Sequence, residues 1–136
     1  MQFNIRPLQE GDYENILCGW WMDWKWVPPV KDFLPEDGTG GYIVYDGDIP
    51  VCAGFMYTTN SRAVWCDWII SNIEYKEKEK RKGALELLID TISKEAKKLD
   101  NKFIYALIKH QPLIDTYIKM GFIQGDSYSS EMIKII

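Results

Sequence analysis

Histidine and cysteine are scarce in this 136-residue sequence, which contains one histidine and three cysteines. Because His110 is the only histidine, a metal site built from several imidazoles is excluded, and no metal is expected. Cys18, Cys52 and Cys66 are odd in number and widely spaced, without a CxxC pair. Free thiols in a reducing compartment are therefore expected rather than a disulfide framework.

The sequence also lacks a long apolar run and an excess of positive charge. No stretch approaches the roughly 18 apolar residues of a membrane helix, and the N-terminus shows no charged-then-apolar signal pattern. We therefore expect a cytoplasmic protein without a membrane partner. The net charge is −4, whereas nucleic-acid-binding domains present a basic footprint, so nucleic acid is not an expected partner.

The overall composition is that of one ordinary globular domain. Hydrophobic residues make up 46% of the sequence and charged residues 26%, which is typical of a folded domain with a real core. The length suits one domain rather than two, and no linker, repeat or low-complexity segment divides the chain. We predict a single domain over residues 1–136, either a monomer or a homodimer.

Periodicity and turn signals predict strands and helices that alternate along the chain. Asp12 precedes a helical pattern as an N-cap, and Asp46-Gly47-Asp48 suits a tight hairpin because glycine supplies a positive φ. Pro112 opens a later helix that Gly121 ends. The predicted strands are 2–8, 42–45, 49–58, 63–71, 103–108 and one or two within 122–136; the predicted helices are 12–21, a short second one or none before residue 41, one from Ala84 and one from Pro112.

This order predicts an α/β fold around one mixed sheet. The run Phe103–Ile108 is apolar throughout, which is typical of a strand covered on both faces. The segment 76–83 is a charged loop in this interpretation, and the helix after it carries apolar residues at three- and four-residue spacing.

The element order and two short motifs resemble the GNAT superfamily of N-acetyltransferases across essentially the whole chain. The opening Ile5-Arg6-Pro7-Leu8, followed by Asp12-Tyr13 at a helix start, is similar to the usual beginning of these domains. The segment 117–122, Tyr-Ile-Lys-Met-Gly-Phe, matches the tyrosine-x-lysine-x-glycine-phenylalanine end of their last helix. A looser resemblance links the tryptophan-rich front to GNAT-like proteins of tailed bacteriophages.

The resemblance implies a fold and an activity. The fold is a mixed, mostly antiparallel central sheet flanked by helices, in the order β-α-(α)-β-β-β-α-β-α-β(-β). The activity is acetyl-CoA-dependent N-acetyltransfer to a primary amine of a small molecule or protein. Two other interpretations stay open: a catalytically degenerate binding module on the same fold, and an enzyme or binder of nucleobase amines in which tryptophans stack on bases.

The acyl-CoA loop of the family has the pattern Gln/Arg-x-x-Gly-x-Gly/Ala, from which this sequence departs. One alignment puts Lys82 in the glycine slot, and the other puts Leu85 in the last slot. Helix-start N–H groups bind anions without requiring glycine, and basic side chains contact phosphate oxygens directly. A solvated charged loop is the alternative. The residues that the resemblance assigns to acetyl-CoA are Ile70, Ser71, Lys80, Arg81, Lys82, Gly83 and Ala84.

Two side chains are candidates for the chemistry. The resemblance makes Tyr117 the proton donor to the leaving thiolate, since a phenol with an ordinary pKa of about 10 stays protonated at neutral pH. The alternative is a core tyrosine beside Leu113. Asp67 is a candidate general base because burial would raise the pKa of its carboxyl toward neutrality. The alternative is an ion pair with a lysine or a solvent-facing position at a bulge. A backbone N–H near Ile70 is the implied oxyanion donor.

The acceptor is expected to lie against the tryptophan-rich segment. Trp24, Trp26 and Trp68 are candidates to stack on it, and Asp32 is a candidate to attract its positive charge. The alternative is that these tryptophans only cover the edge of the sheet, where amphipathic side chains are common. His110 is either a helix cap or a pocket residue.

Overall fold

The computed structural model describes residues 3–127 and 130–136. Its core element is a five-stranded sheet whose strands lie in chain order. The first four strands are antiparallel neighbours, and the fifth runs parallel to the fourth. The predicted start of the first strand at Gln2 lies outside the described residues. The strands are β1 Phe3–Pro7, β2 Gly41–Asp46, β3 Ile49–Thr58, β4 Ala63–Ser71 and β5 Phe103–Tyr105.

Helices cover both faces of this sheet. A π-helical stretch, Tyr13–Leu17, leads into α1, Cys18–Asp23. Helix α2 is Lys78–Lys98 and α3 is Gln111–Lys119. Short 3-10 helices occupy Lys31–Phe33 and Pro35–Gly38. The predicted α/β class with a mixed, mostly antiparallel sheet is confirmed. No helix in the described ranges is long and apolar enough to cross a bilayer.

The two-residue period of the strands divides the core between the two faces. In β2, Ile43 packs with Leu17 and Trp21 from the α1 side, whereas its neighbour Val44 packs with residues of α2 such as Leu88. Successive strand side chains point to opposite faces, so each strand supplies both layers. The tryptophans of the front helix thereby cover one face of the sheet while α2 and α3 cover the other.

A β-bulge interrupts the pairing of β3 with β4. Ala53 pairs with Ile70 and Phe55 pairs with Asp67, so β4 carries one residue more than β3 between these pairs. Trp68 lies in the bulge with a φ of 57°. Gly54 faces the bulge, where a Cβ would lie 2.5 Å from the Ile69 Cδ1 atom. Because bulges bend a strand and redirect its side chains, this one determines where Asp67 and Trp68 point.

Asp12 does not cap the first helix, so that prediction is wrong. Its own backbone is helical, with φ −63° and ψ −40°, and its side chain makes no capping hydrogen bond. The carboxylate instead accepts two hydrogen bonds from the Arg6 guanidinium, at 2.8 and 3.1 Å, and one from the Gln9 N–H. An ion pair with a charged donor outcompetes a cap made to neutral N–H groups.

Two predicted boundaries are also wrong. Helix α2 begins at Lys78 rather than Ala84, because Glu79 and the lysines are good helix formers. Strand β5 covers Phe103–Tyr105 only, and the side chains of its first and last residues, Phe103 and Tyr105, are exposed. The apolar run suggested burial on both faces, but β5 is an edge strand, and the chain leaves the sheet after Tyr105.

The closing strands are not found in the described part of the tail. Within 122–127 and 130–136 no residue is in a strand, while Tyr128 and Ser129 lie outside the described residues. A strand needs a hydrogen-bonding edge, and β5 offers one of three residues. The apolar side chains of this tail are exposed: Met132, Ile133, Ile135 and Ile136.

The close approach of β2 to β3 at Gly41 predicts that a larger residue there would destabilise the fold. A Cβ on Gly41 would lie 2.8 Å from the Phe55 Cα and against the Gly54 carbonyl oxygen, both backbone atoms that cannot move aside. Gly41→Ala is therefore expected to lower the free energy of unfolding by about 3 kcal/mol. Urea denaturation with equal m-values would measure the difference.

Gly19→Ala is the matched control for this substitution. Gly19 lies in α1, and nothing lies within 4 Å of its Cβ position. Alanine has the higher helix propensity, so the control is expected to gain about 0.5–1 kcal/mol. Equal stability of the two variants would show that β2 and β3 are not packed as described.

Candidate active site

Strands β4 and β5 diverge, and a cavity opens between them. They pair only where Ala63–Trp65 meets Phe103–Tyr105, whereas β4 continues to Ser71. The cavity has a volume of about 400 Å³. Its wall is formed by residues of α1 and the segment after it, of β4, of the segment after β5 and of α3: Trp21, Trp26, Val27, Cys66, Asp67, Trp68, Ile69, Leu107, Ile108, Lys109, His110, Leu113 and Tyr117.

Asp67 is the carboxylate of this wall. Its Oδ1 accepts a hydrogen bond from the Trp68 N–H at 2.8 Å, and it takes part in none of the ion pairs that the described residues form. Burial raises the pKa of this carboxyl, and the charge of Glu131 adds to the rise, while the hydrogen bond from Trp68 opposes it. The sequence had left two alternatives for Asp67, an ion pair with a lysine and a solvent-facing position at a bulge. No such ion pair is found among the described residues, and the bulge turns Asp67 toward the cavity.

Tyr117 lies across the cavity on α3. Its side chain is 3% exposed, its hydroxyl lies 3.3 Å from the Cys66 Sγ, and its ring packs edge-on against Phe122 at 4.7 Å between centroids. Burial raises the pKa of this phenol well above its ordinary value, and the nearby Cys66 adds to the rise. The residue is therefore both a core tyrosine and part of the cavity wall.

The boundaries of α3 position this tyrosine. Pro112 lies in the first turn of the helix, as predicted, where its missing N–H has no partner to lose. Gly121 follows the helix with a φ of 99°, and the Phe122 N–H bonds to the Tyr117 carbonyl at 3.0 Å. This C-terminal cap places Phe122 against the Tyr117 ring.

Trp68 is held firmly in the wall. Its indole N–H donates to the Tyr57 hydroxyl at 2.8 Å, and that hydroxyl donates to the Phe33 carbonyl at 2.9 Å. The Phe33 ring packs edge-on against Trp68. These contacts link the tryptophan-rich segment to the bulge in β4.

The four predicted substrate-binding residues are not brought together in full. Trp26 and Trp68 line the cavity. Trp24 is not part of the cavity wall. It stacks on Trp26 at 5.8 Å between centroids and donates its indole N–H to the Ser71 carbonyl at 2.8 Å, so it holds Trp26 in place. Asp32 is exposed on a 3-10 turn and is not part of the cavity wall.

The predicted phosphate-binding residues lie in the first turns of α2. The first hydrogen bond within the helix runs from the Arg81 N–H to the Glu77 carbonyl at 2.9 Å. The N–H groups of residues 78–80 therefore have no partner within the helix, whereas those of Lys82, Gly83 and Ala84 are used inside it. The candidate anion site therefore lies at the start of α2, at residues 78–80, and not at residues 82–84.

Arg81 has a structural position. Its guanidinium donates to the Tyr75 carbonyl, and its Nε is buried without a hydrogen-bond partner. This inward orientation removes Arg81 from the residues expected to contact phosphate. Gly83 faces β1, since a Cβ there would lie 3.3 Å from the Phe3 ring. Lys80 and Lys82 remain on the surface, and the Nζ of each lies near a glutamate, at 3.1 and 3.8 Å.

Ile70 and Ser71 lie just beyond the cavity wall. The Ile70 side chain is buried in the core on the α1 side, and the Ser71 carbonyl accepts the Trp24 indole. Trp68 and Ile69 occupy the wall in their place. The oxyanion donor near Ile70 stays a prediction.

Sequence reasoning missed the residues that follow β5. Leu107, Ile108 and Lys109 line the cavity because the chain separates from β4 there, whereas the apolar run had predicted a continuous strand. His110 belongs to the wall and also occupies the N-cap position of α3, where its side chain makes no capping hydrogen bond.

The wall combines one carboxyl, one phenol and mostly apolar surface. No group of three or more His, Cys, Asp or Glu side chains within 3–127 and 130–136 is placed to hold a metal ion. A carboxyl with a raised pKa accepts a proton from a cationic ligand more readily than an ordinary one does. A phenol with a raised pKa stays protonated and donates hydrogen bonds. The arrangement suits proton removal on one side and hydrogen-bond donation on the other.

Solved structures with the same fold were found, although no family model and no curated protein matches the sequence. Glucosamine-6-phosphate N-acetyltransferase from Arabidopsis thaliana is similar with a TM-score of 0.65 and 13% identity over 98% of this chain and 100% of that chain. The ribosomal-protein-S18-alanine N-acetyltransferase from Escherichia coli gives a TM-score of 0.66 and 13% identity over 92% and 80% of the two chains.

N-acetylglutamate synthase from Neisseria gonorrhoeae, solved with coenzyme A and L-arginine, has a TM-score of 0.71 and 13% identity. That match covers 91% of this chain and 28% of the longer one. The chain therefore has the fold of the GNAT-type N-acetyltransferases, as its two motifs predicted.

Proposed function

We propose that the chain is an N-acetyltransferase that moves an acetyl group from acetyl-CoA to a primary amine of a small molecule or protein. The observation that carries the proposal is the divergence of β4 from β5, which brings Asp67 and Tyr117 to one cavity. The acetyltransferases that share this fold support it. Because these proteins are only 13% identical to this chain, the cavity itself is the guide to the substrate.

The residues around the cavity suit acetyl-CoA. A mostly apolar gap between two strands accommodates an extended acyl arm, and acetyl-CoA brings a thioester whose acyl group an amine can take up. The diphosphate would be held at the start of α2 by the N–H groups of residues 78–80 and by Lys80 and Lys82. The surface ion pairs of these lysines contribute little and can be exchanged.

Asp67 supplies the proton acceptor in this proposal. An amine with an ordinary pKa of about 10 is an ammonium ion at neutral pH and must lose a proton before it can attack. The raised pKa of the Asp67 carboxyl makes it a better base than an exposed aspartate. The carboxylate also attracts the ammonium ion into the cavity.

Tyr117 supplies a hydrogen bond to the leaving sulfur. Its raised pKa keeps the phenol protonated, and the same rise makes it a weaker acid than an exposed tyrosine. Its main contribution is therefore hydrogen-bond donation to developing negative charge rather than early proton transfer. Cys66, at 3.3 Å, orients this hydroxyl toward the β4 side of the cavity.

Calorimetric titration with acetyl-CoA tests the proposal, with CoA and desulfo-CoA as controls. Micromolar binding followed by thiol release with an amine acceptor is the expected result. Absence of binding at millimolar acetyl-CoA would overturn the proposal and favour a GNAT-fold module that acts without the cofactor.

The double variant Lys80→Ala/Lys82→Ala is expected to bind acetyl-CoA about tenfold more weakly, because it loses two charge-assisted contacts to phosphate. Arg81 is left in place because its guanidinium supports the turn at Tyr75. Calorimetry measures the dissociation constant.

Lys94→Ala/Lys97→Ala is the matched control at the other end of α2. It changes the net charge of the same helix by the same amount, at exposed positions. Equal loss of affinity in both variants would indicate a general charge effect, and no loss in the first would remove the start of α2 from the site.

A further inference from the structure

Exposed apolar side chains converge on the entrance of the cavity between β4 and β5. Trp26 is 54% exposed, Val27 90% and Leu107 47%, and all three belong to the cavity wall. Such side chains contribute little to folding while they face water. Their clustering at one opening marks a surface that gains free energy when an apolar ligand covers it.

Trp26 is held rigidly at this entrance. Lys25 has a φ of 65°, and the Trp26 N–H bonds to the Trp21 carbonyl at 2.9 Å, which is a C-terminal helix cap. Trp24 stacks on the Trp26 ring and is itself tied to the Ser71 carbonyl. Because the ring is already ordered, a ligand that packs on it loses little entropy in ordering the wall.

Few polar groups are available inside. Asp67 is the carboxylate of the wall, the Tyr117 hydroxyl lies against the Cys66 Sγ, and the Trp68 indole N–H is already bonded to Tyr57. Lys109 and His110 are exposed, so water screens their effect on the interior. When a ligand with many hydroxyl groups enters the cavity, these groups lose their hydrogen bonds to water and find few partners in the wall. Each unpaired hydroxyl group then lowers the affinity.

We infer that the acceptor is a primary amine carried on an aromatic or compact apolar body. Its ammonium group is directed to Asp67, and its body packs against Trp26, Val27 and Leu107. This inference rests on the proposed function for the transfer step, but not for binding. In the transfer the amine nitrogen bonds to the acyl carbon as the thioester C–S bond breaks. Of the two protons that the ammonium loses, one ends on the CoA sulfur, and one passes through Asp67 to water.

Saturation-transfer NMR on the protein alone tests the binding of 2-phenylethylamine, hexylamine and glucosamine. We expect 2-phenylethylamine to bind at least about tenfold more tightly than glucosamine, since its ring is buried favourably against Trp26 while the hydroxyl groups of glucosamine lose hydrogen bonds to water. Trp26→Ala and Asp67→Asn are each expected to weaken that binding by about tenfold. Phe103→Ala, which removes an exposed aromatic ring from β5, is the matched control and should bind as the parent does.

Glucosamine binding as tight as that of 2-phenylethylamine would overturn the inference. So would unchanged affinity in Trp26→Ala, or no binding of any amine to a folded protein. The titration with acetyl-CoA is separate: a protein that binds 2-phenylethylamine but no acetyl-CoA would overturn the proposed function alone.

Discussion

Asp67→Asn is expected to lower turnover at neutral pH by a factor of about 100 to 10,000, because the acceptor amine loses its general base. Asparagine has the same shape, and its carbonyl oxygen can still accept the Trp68 N–H that Asp67 holds at 2.8 Å. The fold and the bulge in β4 should therefore persist. Thiol release with an amine acceptor measures the loss.

The pH profile gives the same prediction a second test. Because burial raises the pKa of Asp67, the parent should lose activity as the pH falls through that raised value, and the variant should lack this acidic limb. The titratable groups that interact electrostatically with Asp67 are Glu131, Tyr117, Cys66 and Tyr57, and Lys109 and His110 lie in the same wall. An acidic limb retained in the variant would assign it to one of these groups.

Stability should change in the opposite direction to activity. A carboxyl whose pKa is higher in the folded than in the unfolded chain favours folding below its unfolded value, and that advantage is lost as the pH rises through the folded value. At neutral pH the Asp67 charge therefore costs stability, and Asp67→Asn should be at least as stable as the parent. Thermal unfolding checks this, and a marked loss of stability would mean that the lower turnover reports a damaged fold.

Tyr117→Phe is expected to lower turnover by about 100-fold with little change in the dissociation constant of acetyl-CoA. Phenylalanine keeps the ring contact with Phe122 but removes the hydroxyl that lies 3.3 Å from the Cys66 Sγ. The lost hydrogen bond matters when charge develops on the leaving sulfur, so turnover should fall while binding does not. Steady-state thiol release and calorimetry measure the two quantities.

Tyr45→Phe is the matched control for the loss of a phenol. The Tyr45 hydroxyl accepts a hydrogen bond from Arg6 at 3.1 Å on β2, outside the cavity wall. Its turnover should equal that of the parent. If Tyr117→Phe were as active as Tyr45→Phe, Tyr117 would be a core residue alone.

Local signals were enough for several elements of the fold. The fourth predicted strand, 63–71, has the bounds of β4, and the hairpin at Asp46-Gly47-Asp48 joins β2 to β3, with Gly47 at a φ of 61°. Pro112 and Gly121 mark the ends of α3, as predicted. These features depend on the conformational preferences of one or a few neighbouring residues, which can be predicted from the residue types alone.

Contacts that leave no pattern in the sequence decided other features, even between residues only six positions apart. Asp12 pairs with Arg6 because β1 brings the two together, and Arg81 turns inward because the Tyr75 carbonyl is within its reach. The start of α2 is a run of charged residues without apolar periodicity, so the hydrophobic pattern gave no sign of a helix there, although the residues themselves are good helix formers.

By itself, the sequence determined the class of fold and the order of its elements up to α3, and it named Asp67 and Tyr117 as candidate catalytic residues, through hydrophobic periodicity, turn residues and two family motifs. Only the tertiary structure decided that Asp67 and Tyr117 share a cavity, since this depends on the bulge opposite Gly54 and on the parting of β4 from β5 after Trp65 and Tyr105. The physical reason is that strand register and strand divergence are set by packing between segments distant in the chain, whereas helix ends and turns are set by residues near one another.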